Sequence, residues 1–454
     1  MTMRFNKLAW FATAALVAGC GDDGTNDEGA GSGGATAGAT AATTEADDPT
    51  GNGMTTAPGG TGTSGTPPTG TTAADGTDTD APDPTGSGIN LDLGGIPDAP
   101  NFCNQGKGEI EGGFIWIANS TQSTISKIDT ATMIEQGRYL TRQDQNGSPS
   151  RTSVSLSGNV VVANRNGGIT KFYSNVDNCV DSNGNGVIDT SGDATWLPWG
   201  DDECMAWHTP MNYASQRPVA WTQGEWDQAA CANINEKVWT SGANGNAIEV
   251  LLVDGETGVV EETIPIPGVN ASFYGIYGAA VDTDGNFWGS QLSIGSVVNV
   301  DRQTLAVQTW PMQTSGYGMT VDASGNVWTC SGSGVSRFDT VTETWQQAVG
   351  VTGGGGCMED ANGILWLATN PLRGVNTTTL LQEYSIPIPE YVHGVSIDFE
   401  GNVWGVSLFG TNAYRVDPAT GTVDTFTGLV QPYTYSDMTG FALSNVGNGG
   451  QPSG

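Results

Sequence analysis

One unit of about forty residues recurs along the second half of the chain, and it restricts the fold more than any other feature of the sequence. Its copies contain VDTDGNFWG, VDASGNVWT and IDFEGNVWG, in which a DG or GN turn separates two β-rich segments. The tryptophans of four copies, Trp288, Trp328, Trp366 and Trp404, lie 40, 38 and 38 residues apart. A period near forty with four short strands per copy is typical of a β-propeller.

Three weaker copies precede these four, at 114–133, 153–173 and 237–260. Seven copies predict an all-β, seven-bladed β-propeller over residues 101–454. The first copy starts at its second strand, so we expect its missing strand to come from DMTGFALSNV (437–446) near the C-terminus. A C-terminal strand that closes the first blade would remove the exposed edge between the first and last blades.

More residues separate the second and third copies than a connection between blades requires, which predicts an insertion at about 174–234. It contains DSNGNGVIDTSGD (181–193), which follows the calcium-loop template at the first nine positions. Gly192 replaces the glutamate of position twelve, and Asp193 follows it; Asp201, Asp202 or Glu203 are alternatives for that ligand. The predicted ligands are Asp181, Asn183, Asn185, Val187, Asp189 and Asp193. We expect a structural calcium ion here; a metal-free loop of Asx turns is the alternative.

The cysteine count is compatible with three disulfides in an exported protein. Besides Cys20, the chain has six cysteines: Cys103, Cys179, Cys204, Cys231, Cys330 and Cys357. Cys179 and Cys204 bracket the calcium loop, so a bond between them would hold the loop closed. Cys330 and Cys357 fall on adjacent blades, which would place them close together. Cys103 and Cys231 then remain as the third pair, although six cysteines allow other pairings.

The N-terminal residues predict export and anchoring. Residues 1–19 combine Arg4 and Lys7 with the apolar run LAWFATAALVAG, which is too short to span a bilayer and is typical of a signal peptide. The run ends in LVAGC, which resembles the lipobox of bacterial lipoproteins and implies lipidation of Cys20; an ordinary secretory signal is the alternative. Residues 20–100 are rich in Gly, Thr, Ala and Asp and predict a disordered linker.

The charge of the chain excludes one class of partner. The net charge is −33, with only 15 Lys and Arg residues, so no extended basic patch is available for nucleic acid or for an anionic lipid surface. We therefore expect the protein to contact a membrane, either the outer membrane or the cell surface, only through its lipid anchor. We also expect a monomer.

Two segments, ETIPIPGVNASFYGI and EYSIPIPEYVHGVSIDFEGNVW, resemble the repeated motif of streptogramin lyases, the virginiamycin B lyase family. The resemblance covers about residues 110–446 and implies a seven-bladed propeller. It also implies an enzyme that opens a cyclic depsipeptide by β-elimination, with histidine and glutamate side chains near a magnesium ion.

The catalytic pattern of that family is incomplete in this chain. His393 matches the last-blade histidine, and Glu390 stands close to the glutamate that precedes it. The slot of the other histidine holds Gly355, and that of the other glutamate holds Leu408. A β-elimination requires both a base and an acid, so the residues favour a protein that is not an enzyme, with His393 and Glu390 as the candidates if it is one.

The residue before the first-strand glycine of each copy should lie at one mouth of the central channel, where a ligand site is expected. The candidates for this ring are Ser150, Gln228, Tyr277, Tyr317 and His393, and the same slot holds Gly355 and Thr439. We therefore expect an exported, lipid-anchored propeller that binds a small-molecule or protein ligand. The alternative is a carbon–oxygen lyase or lactonase that uses a divalent cation, such as magnesium, at the mouth.

Overall fold

The computed structural model describes residues 113–227, 230, 232–435 and 437–447, and these residues are almost entirely β-sheet. The first blade contains β1 (Phe114–Asn119), β2 (Thr124–Asp129) and β3 (Glu135–Leu140), and the second contains β4 (Pro149–Val154), β5 (Val160–Asn164), β6 (Ile169–Phe172) and β7 (Met205–Thr209). The third blade contains β8 (Ser215–Trp221), β11 (Lys237–Asn244), β12 (Ala247–Asp254) and β13 (Val260–Pro265). Between β8 and β11, the strands β9 (Glu225–Asp227) and β10 (Ala232–Ile234) form a separate hairpin.

The remaining four blades have four strands each. They contain β14 (Gly278–Val281), β15 (Phe287–Ser290), β16 (Ser296–Val300) and β17 (Val307–Pro311); β18 (Gly318–Val321), β19 (Val327–Ser331), β20 (Gly334–Asp339) and β21 (Thr344–Gln347); β22 (Cys357–Glu359), β23 (Ile364–Leu367), β24 (Leu372–Asn376) and β25 (Gln382–Ile386); and β26 (Val392–Ile397), β27 (Val403–Ser407), β28 (Asn412–Val416) and β29 (Val423–Thr427). Two short 3-10 helices, Ser120–Gln122 and Val176–Asn178, and the α-helix α1 (Phe441–Gly447) complete the elements.

The innermost strands of successive blades pack against one another around a central channel, which confirms the predicted seven-bladed propeller. A repeated aspartate–tryptophan pair explains why the sequence folds this way. In the seventh blade, Asp398 accepts 2.8 Å hydrogen bonds from the backbone N–H of Asn402 and from the indole Nε1 of Trp404. The turn aspartate thus shapes the hairpin and satisfies a buried indole N–H, which would otherwise cost about 1–3 kcal/mol. Equivalent 2.8 Å bonds join Trp288 to Asp282, Trp328 to Asp322 and Trp366 to Asp360.

The C-terminal segment closes the ring as expected, but without a regular strand. The carbonyl of Met438 accepts a 2.8 Å hydrogen bond from the N–H of Trp116, and Pro432 forms an isolated bridge with Asn119, so the segment lies along β1. The predicted strand at 437–446 is wrong in its form, because Phe441–Gly447 is helical. The apolar residues Leu443 and Val446 are three apart, a spacing that suits a helix face and that a run this short does not distinguish from a strand.

Helix α1 packs into the channel. It lines a cavity of about 40 Å³ together with residues of the inner strands β4, β8, β14, β18 and β22. Leu443 and Val446 are buried there. A cavity of this size has room for water only, so the propeller is filled at this end of its axis.

The predicted insertion at 174–234 requires a correction. Residues 205–209 and 215–221 of that range belong to the repeat, as the outer strand β7 of the second blade and the inner strand β8 of the third. Two shorter insertions remain: residues 173–204 between β6 and β7, and the β9–β10 hairpin between β8 and β11. The sequence did not reveal β8 because the hairpin moves it away from the tryptophan strand β11.

Alternation of antiparallel strands assigns the loops to two faces. We call the end where the inner strands begin the mouth face, and the other end the opposite face. The first and third strands of a blade run from the mouth face to the opposite face, so the connections that follow them lie on the opposite face. One insertion follows the third strand β6 and the other follows the first strand β8, so both lie on the opposite face. The calcium-like loop and the predicted channel mouth are therefore on different faces of the propeller.

Two of the predicted disulfides are present. Cys179 pairs with Cys204 at a Cα–Cα distance of 4.6 Å, and Cys330 pairs with Cys357 at 6.3 Å. They indicate a protein that folds outside the cytoplasm. In the part of the chain that the structure describes, no helix is long and apolar enough to cross a membrane.

Other sequence-based predictions lie outside the described residues. These are the signal peptide at 1–19, the linker at 20–100, and the residues Cys20, Cys103, Cys231 and Gln228.

Replacing Leu443 with alanine tests the role of α1. Leu443 is 4% exposed and belongs to the buried cluster of the third and fourth blades. We expect Leu443→Ala to lower the free energy of unfolding by about 2–4 kcal/mol, because it enlarges the channel cavity. The control is Val341→Ala, at a side chain that is 91% exposed. Equal denaturation midpoints for the two variants would contradict the packing role of α1.

Candidate functional site: the channel mouth

The structure places one residue of each blade at the mouth, and in the first and third blades this residue differs from the predicted one. Tyr277, Tyr317 and His393 each lie three residues before the residue that pairs with a blade tryptophan. The same rule in the third blade selects Arg217, because Ala220 pairs with Trp239. In the first blade, the closing segment brings Tyr435 to the mouth, three residues before Met438, so the predicted slot of Thr439 is wrong.

Three tyrosine hydroxyls meet at the mouth. The hydroxyl of Tyr277 lies 3.2 Å from that of Tyr317 and 2.7 Å from that of Tyr433, and the hydroxyls of Tyr317 and Tyr433 are also hydrogen-bonded. Burial, together with the neighbouring phenol groups, raises the pKa of Tyr317 and of Tyr433. Tyr317 and Tyr433 are therefore neutral phenols at physiological pH, and the three hydroxyls form a polar patch within an aromatic layer.

His393 lies against this layer. Its imidazole is 4.7 Å from the ring of Tyr317 and 5.6 Å from that of Tyr435, between ring centroids, and its Nδ1 is hydrogen-bonded to the hydroxyl of Tyr391 at 2.8 Å. Burial lowers the pKa of His393 to about 3, and the positive charge of Arg151 adds to the effect. The imidazole is consequently neutral at pH 7.

Two arginines complete the mouth on the side of the second and third blades. The guanidinium of Arg151 donates a 2.6 Å hydrogen bond to the carbonyl of Tyr277 and lies over the ring of Tyr435. The guanidinium of Arg217 lies 4.8 Å from the ring centroid of Tyr274 and 5.2 Å from that of Tyr277. The sequence did not reveal either residue: Arg151 follows the predicted slot residue Ser150, and the β9–β10 hairpin separates the slot of Arg217 from its tryptophan strand β11.

Glu390 does not join His393. Its Oε1 accepts hydrogen bonds from the amide of Asn412 at 2.9 Å and from the hydroxyl of Tyr414 at 2.8 Å. Both partners belong to β28, the third strand of the last blade. The carboxylate is therefore engaged with that strand, while the imidazole is engaged with Tyr391.

The mouth concentrates buried polar atoms that have no hydrogen-bond partner among the described residues. Ser150, one of the predicted ring residues, contributes its Oγ. The atoms of this kind at the mouth, eight of fourteen among the described residues, are Ser150 Oγ, Arg151 Nε, Arg217 Nε and Nη1, Ser290 Oγ, His393 Nε2, Thr434 Oγ1 and Tyr435 OH. These atoms come from the mouth ends of several inner and second strands and from the closing segment. Groups of this kind are usually satisfied in native proteins, so their clustering marks the mouth as a place where another molecule or water supplies the missing partners.

Exposed apolar side chains surround this buried floor. Phe409 stacks on Tyr433 with ring centroids 5.5 Å apart, and Phe273 contacts Tyr274 at 4.8 Å. Both phenylalanines and Tyr391 are exposed. The mouth thus combines a polar, cationic floor with an apolar rim.

On the opposite face, the calcium-like loop gathers its predicted side chains. The amides of Asn183 and Asn185 both donate to Oδ2 of Asp189 at 2.8 Å, and Asp181 accepts the backbone N–H groups of residues 184–186. Glu203 closes the loop by accepting the N–H groups of Asp189 and Asn183, and these bonds lower its pKa.

Asp193 lies outside this group, since its carboxylate caps the N–H of Thr195. Within the described residues there is no group of three or more His, Cys, Asp or Glu side chains suited to a metal ion. The oxygen atoms that this loop could offer to a metal ion come from its two aspartates, its asparagine side chains and its backbone carbonyls.

The low pKa of His393 predicts a pH-dependent stability. Between its ordinary value near 6.5 and its folded value of about 3, the unfolded state binds a proton that the folded state does not. The protein therefore loses stability as the pH falls through this window, by at most about 1.4 kcal/mol per pH unit. His393→Gln should remove this contribution, so the stability of the parent relative to the variant should decrease from pH 7 to pH 4.5. A difference that stays constant over this range, measured by urea unfolding, would show that His393 titrates normally.

Comparison with solved structures shows a shared fold. A functionally unknown protein from Desulfotomaculum acetoxidans has a TM-score of 0.50 and 11% identity, over 71% of this chain and 98% of that chain. A streptogramin B lyase structure has a TM-score of 0.48 and 15% identity, over 65% and 87%. Virginiamycin B lyase from Staphylococcus aureus has a TM-score of 0.46 and 14% identity, over 65% and 90%.

No family model and no curated protein sequence matches the chain. The seven-bladed propeller expected from the repeat motifs is confirmed by the strand topology. Sequence identities this low show that the fold is shared and give no information on activity. The activity depends on the side chains at the mouth.

Proposed function

We propose that this protein is an exported, lipid-anchored β-propeller that binds a ligand at its channel mouth. The observation that carries the proposal is the cluster of buried, unpartnered polar atoms around Arg217, His393 and Tyr435. Each such group costs about 1–3 kcal/mol when it is left without a partner. Several such groups in one place lower the stability of the folded protein by an amount comparable to its net free energy of unfolding. A bound ligand that supplies hydrogen-bond donors and acceptors would offset this cost.

The shape of the mouth supports the same proposal. Tyrosine side chains present flat apolar surfaces and polar hydroxyls at low entropic cost, which suits recognition of organic molecules. The exposed Phe273, Tyr391 and Phe409 extend this surface outward. A ligand with an apolar or aromatic body and a polar end would contact the rim and the floor together.

The lyase alternative has less support from the site chemistry. A general base works best when its pKa lies near the operating pH, whereas burial lowers the pKa of His393 to about 3. The second carboxylate candidate, Glu390, is hydrogen-bonded to Asn412 and Tyr414. A binding function requires neither a strong base nor a free carboxylate, and we therefore prefer it.

On the opposite face, we propose that a calcium ion orders residues 173–204. The support is the convergence of Asp181, Asn183, Asn185 and Asp189 in one loop, which the Cys179–Cys204 disulfide ties to the outer strand β7. Oxygen donors of this kind suit calcium. The ion would have a structural role, since the loop lies on the face away from the mouth.

The calcium proposal is tested by thermal unfolding with calcium and with a chelator. We expect calcium to raise the melting temperature of the parent, and Asp181→Ala to abolish this response, because it removes the first carboxylate ligand. Asp193→Ala is the matched control, as its carboxylate caps Thr195 outside the loop. If calcium leaves the parent unchanged, the loop is a metal-free set of Asx turns.

The binding proposal is tested by NMR, since the chain has only two histidines. His393 lies in the mouth, and His208 lies on β7 at the outer edge of the second blade. A library of small aromatic fragments should include binders that shift the imidazole signals of His393 and leave those of His208 unchanged. The proposal fails if no fragment perturbs His393. Magnesium-dependent loss of a streptogramin or a lactone in the same samples would instead establish the lyase function.

A further inference from the structure

The two arginines of the mouth are unusual for their environment. Arg151 is 2% exposed and Arg217 is 7% exposed, and neither forms a salt bridge with a carboxylate of the described residues. This occurs in a chain with 48 Asp and Glu residues against 15 Lys and Arg. Acidic side chains are therefore abundant, yet none in the described part of the chain forms a salt bridge with either cation.

Among the described residues, the charged and titrating groups that act on the Arg151 guanidinium are neutral phenols, a neutral imidazole and a second cation. Arg151 lies among phenols that stay protonated, and beside a neutral imidazole. Burial lowers the pKa of Arg151 to about 9, and the charge of Arg217 contributes to this shift, so the two cations are close enough to repel each other. Two buried cations thus lie near each other on one side of the mouth.

Buried charges in proteins are normally paired, because removal of a charge from water is costly. Tyrosine rings and backbone carbonyls offset part of this cost through cation–π contacts and hydrogen bonds. They leave Arg151 Nε and Arg217 Nε and Nη1 as unpartnered donors. Each N–H of a guanidinium can donate a charge-assisted hydrogen bond to a carboxylate or phosphate oxygen.

We propose that the mouth binds a small organic anion, a carboxylate or a phosphate ester with an apolar or aromatic body, whose charged group is held by Arg217 and Arg151. This inference rests on the proposed binding function and specifies the class of ligand. The anion fills the space that a salt-bridge partner would otherwise occupy, His393 and Tyr435 border it, and the body of the ligand lies against Phe273 and Phe409. The net charge of −33 repels anions in general, so only an anion that reaches the two arginines is bound. The arginines therefore make the site selective for a ligand with a charged group of this kind.

The competing possibility is that the aromatic layer acts as a cage for cations, with Arg151 and Arg217 as structural fillers. The two possibilities differ in the charge they select. They also differ in the effect of removing an arginine: a filler contributes packing and cation–π energy to the free protein, whereas an unpaired buried charge opposes folding. Replacing a buried charge with an apolar side chain of similar volume is often neutral or stabilising.

The test measures binding of four probes that share one ring: benzoate, phenyl phosphate, neutral benzamide and cationic benzylamine. Titration calorimetry gives the affinities, and the His393 imidazole signals locate the probe. We expect benzoate or phenyl phosphate to bind at least about tenfold more tightly than benzamide, as hydrogen bonds to charged groups contribute about 1.5–3 kcal/mol. The comparison of the first two identifies which anion is preferred.

Arg217→Met should abolish that preference, so that the anions no longer bind more tightly than benzamide, and without ligand the variant should melt at or above the temperature of the parent. Arg415→Met is the matched control, because it removes the same charge at a residue paired with Asp424. Equal binding of anion and amide at His393, or preference for benzylamine, would overturn the anion assignment and leave the binding function standing. If neither these probes nor the aromatic fragments perturb His393, the binding function itself fails. A lower melting temperature for Arg217→Met, with the preference retained, would make Arg217 a structural filler.

Discussion

Closure of the ring is the constraint on which the rest of the molecule depends. A propeller with an open junction exposes the edge of β1, and the closing segment covers it through Met438 and Pro432. The same segment delivers Tyr433 and Tyr435 to the mouth and continues into α1, which fills the opposite end of the channel. One short stretch of chain therefore closes the fold, builds half of the aromatic floor and seals the axis.

The mouth is where the sequence departs from the rules that the blades follow. In the last four blades, the buried tryptophan indole is satisfied locally, as when Asp398 accepts the indole N–H of Trp404. At the mouth, Arg151, Arg217 and His393 keep donors or acceptors without a partner in the described chain. Local violations of otherwise consistent design are expected at functional sites, and here they converge on one channel end with an apolar rim.

The repeat made the architecture predictable, because the Asp–turn–Trp spacing encodes a hairpin and its core contact within a few residues. Tyr277, Tyr317 and His393 were predictable for the same reason, as was the pairing of Cys330 with Cys357 across adjacent blades. Arg217 was not, since the β9–β10 hairpin separates β8 from its tryptophan. Tyr433 and Tyr435 were not, because they belong to a closing segment with no strand pattern. The helical form of α1 depends on its burial in the channel, which a seven-residue segment does not reveal by itself.

A crystal structure of the protein grown with benzoate would show whether the two arginines of the mouth hold an anion. We predict the carboxylate within hydrogen-bond distance of the Arg217 guanidinium, with the ring between the tyrosine layer and the exposed phenylalanines, and no carboxylate of the chain beside either arginine. A mouth without benzoate, in which Arg217 or Arg151 forms a salt bridge with an aspartate or glutamate of the protein, would contradict it.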